Sequence, residues 1–216
     1  MTTNKRHLLR PLLLLAAFVL WTLAVRLVDV QPIGPLGTTV GFAALNGSCH
    51  DLTGVNWKLY TLTDWLGLVP LCVCAAFGLQ GLGQWIRRRS LRRVDPDLLV
   101  LGGFYGAVMA VFVFFEFLEV NYRPVLIAGH LEASYPSSTT MLVLCVMPSV
   151  RMVLRRRLKN RLLCRWVEVL IVLFTGFMVL ARLLSGVHWF TDIVGGILLS
   201  AGLVGMYRST QKALNI

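Results

Sequence analysis

Arg182, His188 and Asp192 are the ionisable residues whose spacing, Arg-x5-His-x3-Asp, most clearly suggests chemistry. His188 and Asp192 are four residues apart, so a helix would place both side chains on one face. A carboxylate there can fix one imidazole nitrogen and leave the other as a nucleophile or base. The planar guanidinium of Arg182 is suited to phosphate oxygens. We therefore predict a phosphate site with His188 and Asp192 as its catalytic pair.

A second group of residues can hold the phosphate oxygens. Pro136 is followed by hydroxyl residues, a pattern typical of a helix start, and the positive end of a helix binds anions. Arg123 lies a few residues beyond an apolar run that ends near Glu116. We predict phosphate binding by Arg123, Arg182, Ser137 and Ser138, with Glu116 and Thr139 as auxiliary residues.

The elements that must position these residues are membrane spans. Hydrophobic residues make up 56% of the 216 residues, charged residues only 14%, and the mean hydropathy is +0.72. A helix needs about 20 apolar residues to cross a bilayer, which the long apolar runs reach with their flanks. We expect an all-α, polytopic membrane protein, a six-transmembrane-helix bundle forming a single membrane-embedded phosphatase-like domain over residues 1–216. The runs are Leu8–Val25, Trp65–Leu82, Leu98–Phe115, Met141–Val150, Val167–Leu180 and Ile193–Met206.

The distribution of basic residues predicts the orientation of the chain. Most of the 21 Lys and Arg residues fall at the N-terminus, in every second connection between spans, and in the C-terminal tail. This alternation places both termini in the cytoplasm and the site on the outward face. The net charge of +11 therefore indicates contact with anionic membrane lipids and excludes nucleic acid as the expected partner. The compact chain favours a bacterial cytoplasmic membrane.

Three smaller expectations concern the connections and the cysteines. The first apolar run lacks a clean small-residue cleavage site, so we expect a retained span rather than a signal peptide. Residues Val28–Tyr60 are rich in Gly, Pro and Asn, which favours irregular turns, with a short amphipathic segment near Trp57–Trp65. The spacing of the 5 cysteines predicts neither a disulfide framework nor a zinc site.

The segment Arg-Leu-Leu-Ser-Gly-Val-His-Trp-Phe-Thr-Asp from Arg182 to Asp192 resembles the third signature of the type 2 phosphatidic acid phosphatase family. Tyr122-Arg123-Pro124 resembles the end of the first signature, and Pro136-Ser137-Ser138-Thr139 stands in the place of the second. The order of the motifs and the six-span layout also agree. The resemblance implies a metal-free route without a cofactor, in which His188 attacks phosphorus and Asp192 orients it.

The chain departs from the family pattern at Glu116, where the family has a lysine, at Ser138 and Thr139, where it has Gly-His, and at Ala181, where it has a serine. The missing histidine is the family's proton donor to the leaving group, and threonine is too weak an acid to replace it. A pyrophosphate, which leaves as a stable anion, needs little protonation. Glu116, His130 and Glu132 are the candidates for a substitute acid.

The resulting expectation is an integral-membrane phosphatase that hydrolyses a lipid phosphate or an isoprenoid pyrophosphate at the outer leaflet through a phospho-histidine. Two alternatives stay open: a membrane phosphotransferase, and a non-catalytic lipid-phosphate-binding protein. A transporter is disfavoured because the sequence lacks an inverted repeat or paired broken helices. The lipid and the oligomeric state are not determined by the sequence.

Overall fold

The computed structural model describes the backbone of residues 2–216 and the side chains from His7 onward. Within this part the chain folds into eight α-helices, joined by two short 3-10 turns, Pro35–Gly37 and Leu91–Arg93. The helices are α1 Thr2–Leu27, α2 Ala43–Thr53, α3 Trp57–Leu66, α4 Leu68–Arg88, α5 Pro96–Leu118, α6 Ser138–Arg157, α7 Arg161–Leu184 and α8 Phe190–Ala213.

In the part of the chain that the structure describes, six helical segments are long and apolar enough to cross a membrane. They are α1, the continuous pair α3–α4 (Trp57–Arg88), and α5 to α8. The predicted all-α bundle with six spans is therefore confirmed. The second span is longer than the run predicted from Trp65, because the amphipathic segment joins it with only Gly67 between the two helices.

The centre of the bundle is formed by α6 and α8, which bury the largest share of their residues among the spans. α1 packs along α8, and α6 packs between α7 and α8. Glycines of α8 allow this close packing, since a Cβ atom on Gly195 would lie 2.6 Å from the ring of Tyr135 and one on Gly202 would lie 2.6 Å from Leu15. The remaining spans turn many apolar side chains outward, as a lipid-facing surface requires.

The connection between α1 and α3, residues 28–56, is more ordered than its composition predicts. The expectation of irregular turns was wrong for Ala43–Thr53, which form α2 across Asn46-Gly47-Ser48. Asn46 is the reason, because its side chain is buried and donates to Gly41 O and Thr191 Oγ1 at 2.8 and 3.0 Å. Tertiary contacts at Asn46 thus compensate for the weak helix propensity of this segment.

The connection between α5 and α6, residues 119–137, is irregular but held together by backbone hydrogen bonds. Ser134 N donates to Asn121 O at 2.9 Å, and Arg123 N donates to Glu132 O at 3.0 Å. This pairing brings the two ends of the segment, one after α5 and one before α6, next to each other. Arg123 and Ser134 consequently face the same end of the bundle.

The connection between α7 and α8 is a tight turn. Gly186 has a φ of +67°, and a Cβ atom there would lie 1.8 Å from Gly54 O. Only glycine fits this backbone and this close approach. This turn places His188 between the end of α7 and the start of α8.

Candidate active site

His188 lies at the centre of a buried polar cluster on the face of the bundle where α5 and α7 end and α6 and α8 begin. Its side chain is 1% exposed, and its neighbours Arg123 and Asp192 are also buried. His188 precedes the first residue of α8, so the expectation that it shares a helical face with Asp192 was wrong in detail. The two side chains still meet, because Asp192 points back toward the helix start.

Asp192 is held in a fixed position behind the imidazole. One carboxylate oxygen, Oδ2, accepts from Ser134 Oγ at 2.7 Å and from Trp189 N at 3.0 Å, and lies 3.6 Å from His188 Nδ1. The other, Oδ1, accepts from Asn121 Nδ2 at 3.4 Å. These donors fix the carboxylate, which in turn favours the tautomer of His188 with its proton on Nδ1.

The second imidazole nitrogen contacts an arginine. Nη1 of Arg123 lies 3.1 Å from His188 Nε2. Because a guanidinium only donates, Nε2 is the acceptor and carries a lone pair. The other side of Arg123 is neutralised by Glu132, whose carboxylate lies 3.0 Å from Nε. Nε2 is thus unprotonated and next to a positive charge, the arrangement of a nucleophile beside an anion-binding group.

The environment keeps His188 neutral. Burial lowers the pKa of this imidazole well below its ordinary value of 6.5, and the positive charges of Arg123 and Arg182 lower it further. A protonated ring would be a buried cation beside two others, which is unfavourable. Neutral imidazole is the form that can act as a nucleophile.

Arg182 is positioned by α3. Its side chain is 2% exposed, its Nη1 donates to Thr63 Oγ1 at 3.3 Å, and its guanidinium carbon lies 4.9 Å from the centre of the Tyr60 ring. Asp64 approaches the same Nη1 at 3.8 Å. The Nε atom of Arg182 is buried and has no hydrogen-bond partner among the described residues. The Nε–H of Arg182 is therefore available to donate to a ligand, while Thr63 and Tyr60 hold the rest of the guanidinium in place.

The start of α6 completes one side of the cluster. Ser137 is the N-cap of α6, and its N–H donates to Asp192 O at 3.1 Å. Its hydroxyl oxygen is buried without a partner among the described residues. The first-turn N–H groups of a helix have no acceptor within it, so the α6 start remains an anion-binding end next to His188.

Two cavities extend from this cluster. A small one, with room for about one water (~20 Å³), is lined by Glu116, Ser134, Ser138 and His188. A larger one, about 480 Å³ and mainly apolar, lies between α4, α5 and α6 and reaches Asp64, Ser138 and Thr139. Glu116 therefore shares a space with His188, whereas Thr139 faces the apolar cavity.

The structure brings together His188, Asp192, Arg123, Ser137 and Ser138, and places Glu116 at the adjoining cavity. Sequence reasoning missed the residues that hold these groups: Ser134, Asn121, Thr63 and Tyr60. Nothing in their spacing distinguishes them from other loop or helix residues, since their contacts are long-range. Among the described residues, no group of three or more His, Cys, Asp or Glu residues is arranged to hold a metal ion.

Comparison with known proteins identifies the family and the fold of the chain. No curated protein sequence matches the chain at a significant level. The fold is similar to the crystal structure of a transmembrane PAP2-type phosphatidylglycerolphosphate phosphatase from Bacillus subtilis, with 17% sequence identity and a TM-score of 0.66 over 94% of this chain and 96% of that one. The model of the PAP2 superfamily matches residues 69–215, which include every predicted site residue. The chain belongs to the PAP2 superfamily, and it is an integral membrane protein.

Proposed function

We propose that this membrane phosphatase hydrolyses an amphiphilic phosphate or pyrophosphate through a phospho-histidine at His188. The observation that carries the proposal is the orientation of the imidazole, with Asp192 at Nδ1 and Arg123 at Nε2. A binding site for phosphate has no need of a neutral, oriented imidazole. An enzyme that uses it as a nucleophile does.

The first chemical step follows from these positions. Phosphate oxygens engage Arg123, Arg182 and the start of α6, and Arg123 then releases Nε2. The Nε2 lone pair attacks phosphorus, the bond from phosphorus to the leaving oxygen breaks, and that oxygen leaves with the bonding electrons. The imidazole now carries a positive charge. Asp192 stabilises this positive charge. Its carboxylate lies 3.6 Å from Nδ1 in the free protein, and catalytic hydrogen bonds that are long in a free enzyme shorten in the reacting complex.

The second step releases phosphate. Water attacks the phosphorus of phospho-His188, and the bond from phosphorus to nitrogen breaks with its electron pair returning to Nε2. Water loses a proton in this step, and Glu116 is the carboxylate that shares the small cavity with His188. We assign Glu116 this auxiliary role. The arginines supply the positive charge for both steps, so the proposed route needs no metal ion or cofactor.

The leaving group determines the preferred substrate. Thr139 faces the apolar cavity and cannot supply a proton of suitable acidity to an alkoxide. A phosphate leaving from a pyrophosphate is stable without that proton. We therefore propose isoprenoid or similar lipid pyrophosphates as better substrates than phosphate monoesters.

The large cavity favours a lipid rather than a soluble phosphate. It begins at Ser138 and Thr139, beside the phosphate end of the site, and continues along apolar side chains of α4, α5 and α6. A hydrocarbon chain fits such a lining, and apolar burial would contribute to binding. The basic connections at the opposite end of the bundle favour an outward-facing site and cytoplasmic termini.

Phosphate release from a panel of lipids tests the proposal. The purified protein, with chelator present, is given phosphatidate, phosphatidylglycerolphosphate and a polyprenyl pyrophosphate, and is compared with His188→Ala. We expect chelator-resistant release, fastest from the pyrophosphate, and loss of at least about 1,000-fold in kcat for the variant. Activity that survives the substitution would disprove the phospho-histidine route. Transfer to an added alcohol instead of water would identify a phosphotransferase, and inactivity on all substrates would favour a binding protein.

A further inference from the structure

A second polar cavity lies between α1 and α8, at the end of the bundle opposite His188. Its volume is about 430 Å³. The residues around it come from the first turns of α1 and the last turns of α8, and most of them are basic or polar: His7, Arg10, Arg208, Ser209 and Lys212. The site on the other face uses none of these residues.

The basic side chains of this cavity differ from other arginines on the same face. Arg151 and Arg155 pair with Glu168, and Arg157 pairs with Asp97 at 2.8 Å, so the fold itself neutralises them. Arg10, Arg208 and Lys212 have no carboxylate partner among the side chains described from His7 onward. The six preceding residues, Met-Thr-Thr-Asn-Lys-Arg, contain no acidic residue that could reach them. Three cations from two helices thus converge on one space without a neutralising group.

Close packing of α1 on α8 holds the base of the cavity in a fixed position. Ser209 Oγ lies 2.8 Å from His7 O and 2.9 Å from Gly205 O, so its one hydroxyl hydrogen is shared between an acceptor on α1 and one on α8. A Cβ atom on Gly205 would lie 2.8 Å from Pro11, so the two helices approach as closely as glycine allows. The cations above this contact are therefore carried by a rigid helix pair and not by mobile loops.

We propose that this cavity binds the headgroup of an anionic phospholipid from the leaflet on that face. Two guanidinium groups and an ammonium group match the charge and the hydrogen-bonding capacity of a phosphodiester. A lipid is favoured over free phosphate because Leu14, about one turn of α1 beyond Arg10 into the apolar part of the span, lines the same cavity. An acyl chain attached to the headgroup would lie against it.

Binding of a short-chain phosphatidylglycerol tests this site. The detergent-solubilised protein is titrated with dioctanoyl phosphatidylglycerol, and bound lipids are counted by native mass spectrometry, with dioctanoyl phosphatidylcholine as the zwitterionic control. The test variant is R10Q/R208Q/K212Q. The matched control is R87Q/R92Q/R93Q, which removes the same charge from exposed residues on the same face, outside the cavity. Thermal unfolding of both variants checks that they are folded.

We expect the wild type and the control variant to retain one phosphatidylglycerol that the cavity variant loses, with an affinity decrease of at least about tenfold and no comparable retention of phosphatidylcholine. An equal loss in both variants would overturn the proposal, because it would show only diffuse attraction to surface charge. Displacement of the lipid by millimolar inorganic phosphate would also overturn it, since the cavity would then be a small-anion site. If the cavity variant unfolds, the single substitutions R208Q and K212Q are compared with R92Q in the same titration.

Discussion

In the resting site, Arg123 Nη1 lies 3.1 Å from His188 Nε2 and occupies the lone pair that attacks phosphorus in the proposed mechanism. The same guanidinium lies 3.0 Å from Glu132. A bound phosphate competes with both partners, because a phosphate accepts strong charge-assisted hydrogen bonds from arginine. Substrate binding and exposure of the nucleophile are therefore one event.

Asp192→Asn tests the role of the carboxylate behind His188. The substitution keeps the size of the side chain but removes the charge that stabilises the imidazolium, so kcat should fall by about 100- to 10,000-fold. KM should change much less, because Asp192 faces His188 and not the phosphate. Steady-state phosphate release measures both constants. A variant with normal kcat would contradict the assignment.

Thr63→Val tests whether α3 positions Arg182. Loss of the hydrogen bond from Arg182 Nη1 to Thr63 Oγ1 leaves a buried donor unpaired, and kcat/KM should fall by about tenfold. Thr63→Ser keeps the hydroxyl group and should retain most of the activity. The pair separates positioning from packing, since a merely structural role would require the methyl group and not the hydroxyl. Thr61→Val, at an outward-facing position of α3, serves as the matched control.

Thr139→His tests the leaving-group hypothesis. The cavity of about 480 Å³ beside Thr139 has room for an imidazole ring. A proton donor there should raise the rate for phosphate monoesters by about 100-fold and change the pyrophosphate rate little. The ratio of the two rates, measured with lipids of equal chain length, is the readout. An unchanged ratio would mean that the leaving group is not protonated from this position.

The low pKa of His188 predicts how stability depends on pH. Folding holds the pKa below 6.5, so below that pH the unfolded chain binds a proton that the folded protein does not. The contribution of His188 to stability is complete above about pH 6.5 and decreases, by at most ~1.4 kcal/mol per pH unit, as the pH falls toward the folded pKa. Thermal unfolding between pH 5 and 7.5 measures it. His188→Gln should have a flatter profile, and an identical profile would contradict a depressed pKa.

Some of the site could be predicted because its residues are close in sequence. His188 and Asp192 are four residues apart at one tight turn, so their spacing nearly determines that they meet. Arg123 and the start of α6 could be predicted to lie near His188, because the ends of these spans face the same side of a membrane. Thr63, Ser134 and Asn121 could not be predicted in the same way. Ser134 and Asn121 contact Asp192 across 58 and 71 residues of sequence, and no local pattern encodes such distances.

The amino-acid sequence by itself determined that this protein spans a membrane and that its candidate site is suited to phosphate. Apolar runs long enough to span a bilayer leave helices as the backbone structure that satisfies its own hydrogen bonds, and the Arg-x5-His-x3-Asp motif indicates phosphate. Only the tertiary structure decided how α2 forms across Asn46-Gly47-Ser48, which side chains hold Asp192 and Arg182, and where Glu116 and Thr139 face. The reason is physical: composition and periodicity act within one segment, whereas the packing of α3 on α7 and of α1 on α8 depends on the whole bundle.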